Sequence, residues 1–172
     1  MSASGDLRPL YDFAVEGPVQ AEVFVLWLDG SQIMLTGPCG PEAWYVELGE
    51  DGDPVDTVTR MAIDNIGAPL VVHSTSWRRT RGAVVLSFVA VIAPGTAAGL
   101  ESIPVRRAEL ARSGATTAPT AIVTAQVLEH GLRHLAWLVA DDDVVRNELA
   151  GEWASVLAGY VPEPFRHVRL KE

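Results

Sequence analysis

Residues 21–36, AEVFVLWLDGSQIMLT, contain two apolar runs on either side of Asp29-Gly30. Both runs are rich in β-branched or long apolar side chains, and Asp-Gly between them favours a β-hairpin because both residues tolerate positive φ. We therefore predict strands at 21–28 and 32–36. After a loop rich in Gly and Pro, a third strand is predicted at 43–48. These runs indicate that the first part of the chain forms a β-sheet.

The spacing of the apolar residues changes after Pro54. They now recur three and four positions apart, which predicts a helix with one apolar face made of Val55, Val58, Ala62 and Ile66. Asp53 suits the N-cap position, and Pro54 suits the first helical position. Gly67, followed by Pro69, is predicted to end the helix.

Two more strands are predicted at 70–76 and 83–92. The second is apolar on both faces, which favours an interior position in the sheet. Residues 77–82 between them are predicted to form a hairpin loop. A connector at 93–118 follows and contains a short strand-like stretch at 103–105.

The last third of the chain is predicted to be helical. One helix opens at Pro119 and carries an apolar stripe made of Ala125, Leu128, Leu132, Leu135 and Val139. The run 141–143 of three aspartates ends it and begins a second helix, with a stripe made of Val145, Leu149, Trp153 and Leu157. The patterns together predict an α/β (α+β) fold in one domain, 1–172. A mixed sheet and a helix occupy about 20–95, and the C-terminal helical part occupies 117–160.

Charge and composition restrict the possible partners. The net charge of −9 disfavours nucleic acid and anionic membranes, whose phosphates would be repelled. The N-terminal residues lack the basic and apolar pattern of a signal peptide, and no apolar run approaches the length of a membrane span. The single cysteine, Cys39, excludes an intramolecular disulfide and fits a reducing compartment. We therefore predict a cytoplasmic protein without nucleic-acid or membrane partners.

The segment 55–67, VDTVTRMAIDNIG, resembles the helix of the Nudix hydrolase superfamily. Arg60 and Gly67 lie seven apart, as do the Arg and the second Gly of the Nudix box, G-x5-E-x7-R-E-U-x-E-E-x-G-U. Ala62 falls on the apolar position of the box. The order of predicted elements over 20–95 is also similar to that of a Nudix domain. The resemblance implies a mixed sheet with a Nudix-type helix, in a family whose glutamates hold the divalent cations that activate water.

Most of those glutamates are replaced in this sequence. Aligned on Arg60, the upstream Glu falls on Gly52, the Glu after the Arg on Met61, and the Glu pair on Asp64 and Asn65. Mg²⁺ prefers anionic oxygen ligands, which a thioether cannot supply and an amide supplies without charge. The departures from the box therefore imply a non-catalytic Nudix-like binding or interaction module without a cofactor.

The alternative is a divergent metal-dependent nucleotide or pyrophosphate hydrolase. Such an enzyme would gather Mg²⁺ with carboxylates outside the box pattern. The candidate metal ligands for this alternative are Glu47, Glu50 and Asp64.

Two polar stretches are candidate binding surfaces. Three guanidinium groups beside an indole, at Trp77, Arg78, Arg79 and Arg81, could hold a small anionic ligand such as a nucleotide. The simpler interpretation is an exposed hairpin whose arginines pair with the protein's own carboxylates. The second stretch is the polar face of the first C-terminal helix, with His130, Arg133, His134 and Trp137 opposite the apolar stripe. Its two histidines have a spacing that can bind zinc, but a solvent-exposed or subunit-contact face is the simpler interpretation, so we expect a homodimer or a protein partner.

Overall fold

The structure is a computed structural model that describes residues 17–40, 42–49, 52–110 and 121–161. Three α-helices lie in these ranges, α1 (Pro54–Asn65), α2 (Thr124–Asp141) and α3 (Asp143–Leu157), with a 3-10 helix at Pro94–Ala97. The same ranges contain six strands, β1 (Val19–Asp29), β2 (Gln32–Thr36), β3 (Trp44–Leu48), β4 (Val71–Thr80), β5 (Ala83–Val91) and β6 (Ser102–Pro104). The predicted α/β (α+β) class, with one helix between strands and two C-terminal helices, is confirmed.

All six strands belong to one mixed sheet organised around β1. Its path is β4-β5-β1-β2-β6, and β3 also pairs with β1. β1 runs parallel to β5 along one edge, and its other edge pairs antiparallel with β3 in its first half and β2 in its second half. The interior position predicted for β5 is confirmed, and the short strand predicted near 103–105 joins the sheet as β6 by pairing with β2.

The predicted β1–β2 hairpin is present with a loop one residue further along. Asp29 is still paired with Gln32, so the two loop residues are Gly30 and Ser31. Gly30 has a φ of +56°, a conformation that glycine adopts without steric cost.

Helices cover both faces of the sheet because β1 and β5 are apolar on both sides. One face packs beneath α1 through a cluster that includes Val23, Phe88 and Val58. The opposite face packs against α2 and α3 through a larger cluster that includes Phe24 and Leu132. No helix in the described part of the chain is long and apolar enough to cross a membrane.

The predicted start of α1 is confirmed in detail. Asp53 is the N-cap, and its Oδ1 accepts a hydrogen bond from the Val55 N–H at 2.7 Å. Gly67 follows the helix with a φ of +149°, and its N–H donates to the Ala62 carbonyl. The predicted apolar face is wrong at Val55, which is 40% exposed, because the helix turns Val58 and Ala62 toward the sheet instead.

The predicted loop at 77–82 is wrong. β4 continues to Thr80 and pairs with β5 until Ala83, so the connection is the two-residue turn Arg81-Gly82. Both residues have positive φ, +48° and +81°, as the tightest hairpin turns require. Trp77 to Thr80 are therefore strand residues, and their side chains alternate between the two faces of the sheet.

The C-terminal helices follow the predicted stripes, with two differences at their starts. Ala125 is exposed and Val145 is only partly buried, whereas the later members of both stripes are buried. Asp142 separates the helices and caps α3 by accepting from the Val144 and Val145 N–H groups. Pro119 lies outside the described residues.

Gly131 explains how closely α2 approaches the sheet. A Cβ atom at this position would lie 2.9 Å from Val89 Cγ1 and 3.6 Å from Thr75 Cγ2. A zinc-protease helix carries Glu between its two histidines, but such a side chain would not fit between α2 and β5 here.

Candidate functional site

Three α1 residues align with glutamates of the Nudix box in the predicted resemblance, and two of them have structural roles. Met61 is partly buried and packs against the apolar cluster beneath the helix. Asn65 donates from Nδ2 to the Met61 carbonyl at 2.8 Å, which satisfies a backbone acceptor near the helix end. Asp64 is exposed on the helix surface. The helix thus uses two of these positions for packing and hydrogen bonding.

The carboxylates suggested for a divergent metal site are not on the same side of the sheet. In β3, Tyr45 lies on the α2 face, where its hydroxyl reaches Glu22, and Glu47 follows two residues later on that face. Asp64 belongs to α1, which packs on the opposite face. Glu50 lies outside the described residues. Within the described ranges, no three His, Cys, Asp or Glu side chains converge as a metal site requires.

Arg78, one of the predicted ligand-binding residues, is bound to a carboxylate of the protein. Its Nη1 and Nη2 donate to Glu22 Oε2 and Oε1 at 2.7 and 2.9 Å, and Nη1 also donates to Ser87 Oγ. Glu22 has no exposed surface and additionally accepts from the Tyr45 hydroxyl at 2.9 Å. The hydrogen bonds with Glu22, opposed in part by burial, raise the pKa of Arg78. This network joins β1 to β4 across the intervening β5.

The other three residues predicted to bind an anion with Arg78 are Trp77, Arg79 and Arg81. After the β-bulge near Thr75, Trp77 and Arg79 lie on the face of the sheet opposite Arg78. Trp77 is 68% exposed, and Arg79 and Arg81 are exposed. The structure therefore separates the three guanidinium groups, and the role of Trp77, Arg79 and Arg81 in binding stays a prediction.

The polar face of α2 is partly buried, and its interpretation as a solvent-exposed or subunit-contact face stays a prediction. His130, Arg133, His134 and Trp137 are all of intermediate exposure. α2 lies over β5 and the edge strand β4, and the His134 ring packs 5.8 Å from His73 of β4 and 4.6 Å from His130. Their role as an interface stays a prediction.

The imidazoles of His73, His130 and His134 lie together where α2 packs on β4. Burial, together with the neighbouring His130 and His73, lowers the pKa of His134 to about 4. Burial also lowers the pKa of His73. His134 is therefore uncharged near neutral pH and packs as an aromatic ring.

A second buried carboxylate, Glu129 of α2, is 1% exposed and holds Arg107. Arg107 Nε and Nη2 donate to the two oxygens of Glu129 at 3.1 and 2.9 Å, and the Ala108 N–H adds a third bond. Arg133 Nε donates to the same carboxylate at 3.1 Å. Burial alone would raise the pKa of Glu129, but these hydrogen bonds outweigh it and lower the pKa below 4.5.

Arg107 is also held from its other side. Its Nη1 donates to the Gly159 carbonyl at 2.8 Å, and its guanidinium carbon lies 4.1 Å from the centre of the Tyr160 ring. Cation–π contact and hydrogen bonds together fix the plane of this guanidinium. Its side chain is nevertheless 51% exposed, so a fixed positive group faces the surface.

The exposed side of Arg107 opens into a groove of about 510 Å³. Three parts of the chain line it: the β1–β2 turn with the start of β2, the segment after β6, and the end of α3 with the turn that follows. Ile33, Val105 and Val156 supply apolar surface, and Ser31 and Gln32 supply polar groups. Its volume lies in the range of roughly 300–1,000 Å³ that small-molecule sites occupy.

Neither the two buried carboxylates nor the groove was predicted from the sequence. Glu22 is the one charged residue in the apolar run 21–28, which was a usable signal because a charge in a buried strand requires a partner. Glu129 and Arg107 are 22 residues apart and meet only when the segment after β6 packs against α2. No local sequence pattern predicts that Arg107 pairs with Glu129.

Comparison with known proteins gives no family assignment. No protein-family profile matches the chain, and a search of curated proteins finds no significant match.

Proposed function

We propose that this chain is a non-catalytic Nudix-like module that binds a ligand or partner without hydrolysing it. The observation that supports the proposal most strongly is that side chains of α1 pack against the core and bond the helix backbone. Where the family pattern has cation-binding glutamates, Met61 packs against the core and Asn65 bonds the helix backbone. A Nudix-type helix with these contacts would stabilise the sheet and take no part in catalysis.

The distribution of carboxylates adds support. The two buried glutamates of the described residues, Glu22 and Glu129, are held by arginines. A carboxylate in such a pair is a poor ligand for Mg²⁺, because its charge and lone pairs are already engaged. Homodimer formation and a cytoplasmic location stay predictions of the sequence.

The proposal is tested by assaying hydrolysis of nucleoside diphosphate derivatives with Mg²⁺ or Mn²⁺. We expect turnover below about 0.01 s⁻¹, at least a hundredfold under the roughly 1–1,000 s⁻¹ of ordinary enzymes. Asp64→Ala is the control variant, since it removes the last carboxylate of the box pattern. Ordinary turnover by the wild-type protein that disappears in Asp64→Ala would refute the proposal and favour the divergent hydrolase.

A further inference from the structure

We propose that the outer edge of β4, the side that faces away from β5, binds an extended acidic peptide as an additional strand of the sheet. The inference rests on the binding function proposed above and names its surface and its class of partner. The sequence predicts a small anionic ligand for Trp77, Arg79 and Arg81, whereas here these residues contact a peptide strand.

β4 lies at one end of the path of strands in the sheet. Among the strands of the described ranges, β5 alone pairs with β4, so the outer edge of β4 has no neighbouring strand there. β4 is 10 residues long. An edge strand presents a row of backbone N–H and C=O groups, which can pair with another chain.

The turn between β4 and β5 determines which backbone groups of β4 face outward. Arg81 and Gly82 both have positive φ, as in a two-residue type I′ turn. The residues on either side of such a turn, Thr80 and Ala83, form a hydrogen-bonded pair. Hydrogen-bonded and non-hydrogen-bonded pairs alternate along an antiparallel ladder, so the next pair makes no hydrogen bonds between β4 and β5.

That next pair is Arg79 with Val84. The Val84 N–H donates to the Pro18 carbonyl at 3.0 Å, on the side of β5 where β1 lies, and so faces away from β4. The Arg79 N–H and C=O groups correspondingly face away from β5. Trp77, two residues earlier, has the same orientation. The outer edge of β4 thus presents the backbone groups of Trp77 and Arg79 to a partner.

The charges beside the outer edge favour an acidic partner. Arg79 and Arg81 are exposed, and neither forms an ion pair with another described residue. Carboxylates on an added strand would lie across from Arg79 and beside Arg81, and opposite charges on neighbouring strands stabilise their pairing. A second copy of this chain is a poorer partner, because its net charge is also −9 and its own β4 carries the same arginines.

The side chains of β4 also set the spacing of residues within the peptide. Trp77 and Arg79 lie on the same face of the sheet, as residues two apart in a strand do. The Trp77 indole is 68% exposed and would contact an apolar side chain on the added strand. The matching peptide therefore has a carboxylate opposite Arg79 and an apolar residue opposite Trp77, two positions away.

The test is an NMR titration of the isotope-labelled full chain with the peptide acetyl-Glu-Thr-Glu-Thr-Val-Thr-amide. In antiparallel pairing, its second glutamate lies opposite Arg79, its valine lies opposite Trp77, and its first glutamate lies next to Arg81. We expect the amide proton signals of Trp77 and Arg79 to move downfield as hydrogen bonds form. The shifts should saturate with a dissociation constant on the order of 1 mM, because a short flexible peptide loses much of its freedom on binding.

Two altered peptides separate strand pairing from simple charge attraction. N-methylation of the second glutamate and the valine keeps both carboxylates but removes the two N–H groups that donate to β4. This peptide should bind more weakly by about fivefold or more, because two hydrogen bonds are lost. The peptide with lysine in place of both glutamates should bind more weakly by about tenfold or more, since like charges on neighbouring strands repel.

Two double variants of the protein test the charge. Arg79→Glu/Arg81→Glu reverses both charges beside the outer edge and should weaken binding of the acidic peptide by about tenfold or more. Arg60→Glu/Arg106→Glu makes the same change in net charge at exposed positions on α1 and after β6. This control should change binding by about twofold or less at physiological ionic strength, where exposed charges more than about 8 Å apart are largely screened.

Absence of saturable shifts at the Trp77 and Arg79 amides would overturn the inference, as would equal binding of the N-methylated peptide. A wild-type protein that sediments as a dimer, with these two amides protected from hydrogen exchange, would also overturn it, because a second copy would then occupy the edge. None of these results involves hydrolysis, so failure of the inference leaves the proposed lack of catalysis to its own assay.

Discussion

Replacing Glu22 with alanine is expected to lower the free energy of unfolding by about 3–5 kcal/mol. The carboxylate is fully buried and accepts hydrogen bonds from Arg78, Ser87 and Tyr45. Its removal leaves Arg78, whose side chain is only 22% exposed, without a counter-charge. Urea unfolding followed by circular dichroism measures the change.

The matched control is Glu47→Ala in the neighbouring β3. Glu47 is exposed, so its loss should alter the stability by no more than about 0.5 kcal/mol. The double variant Glu22→Ala/Arg78→Ala should lose less free energy of unfolding than the two single variants lose in sum, because it leaves no buried charge without a partner. A loss below about 1 kcal/mol for Glu22→Ala would contradict the role assigned to this network.

Replacing Glu129 with alanine is expected to cost about 2–4 kcal/mol. The carboxylate is buried and joins α2 to the segment after β6 through Arg107 and the Ala108 N–H. The expected loss is smaller than for Glu22 because Arg107 is half-exposed and can be hydrated after the change. Glu148→Ala on α3, at an exposed position, is the control and should change the stability by about 0.5 kcal/mol or less.

The contribution of Glu129 should also depend on pH. Its pKa is lowered in the folded protein, so the unfolded chain takes up the proton first as the pH falls. The stabilisation is therefore complete above the ordinary value of 4.5 and is lost as the pH falls through the lower folded value. The stability difference between the wild type and Glu129→Gln should shrink below pH 4.5. A difference that stays constant or grows on acidification would be inconsistent with an ionised, arginine-bound Glu129.

The elements of this fold were largely predictable because their signals are local. The β1–β2 hairpin, the capped start of α1 and the break at Asp142 each depend on residues within a few positions of one another. The loop predicted at 77–82 failed for a physical reason. Arginine and tryptophan look like loop residues beside Gly82, but they continue a strand when their hydrogen bonds to β5 are satisfied.

The candidate site was less predictable because it depends on contacts distant in sequence. The sequence favours hairpin arginines that pair with carboxylates of the protein, but it does not show that Glu22, 56 residues earlier, is the partner of Arg78. The histidines of α2 are predicted to lie on a solvent-exposed or subunit-contact face, and the sequence does not show that the helix brings His134 against His73 of β4. Arg107 was not predicted as a site residue because its contacts are with Glu129 and Tyr160, which lie in the C-terminal helical part.

In the function proposed above, α1 stabilises the sheet and holds no catalytic cations. Calorimetric titration of Mg²⁺ into the wild-type protein and Asp64→Ala tests it most directly. We predict no saturable Mg²⁺ binding below about 1 mM in either protein. Saturable binding in the wild type that Asp64→Ala abolishes would contradict the claim.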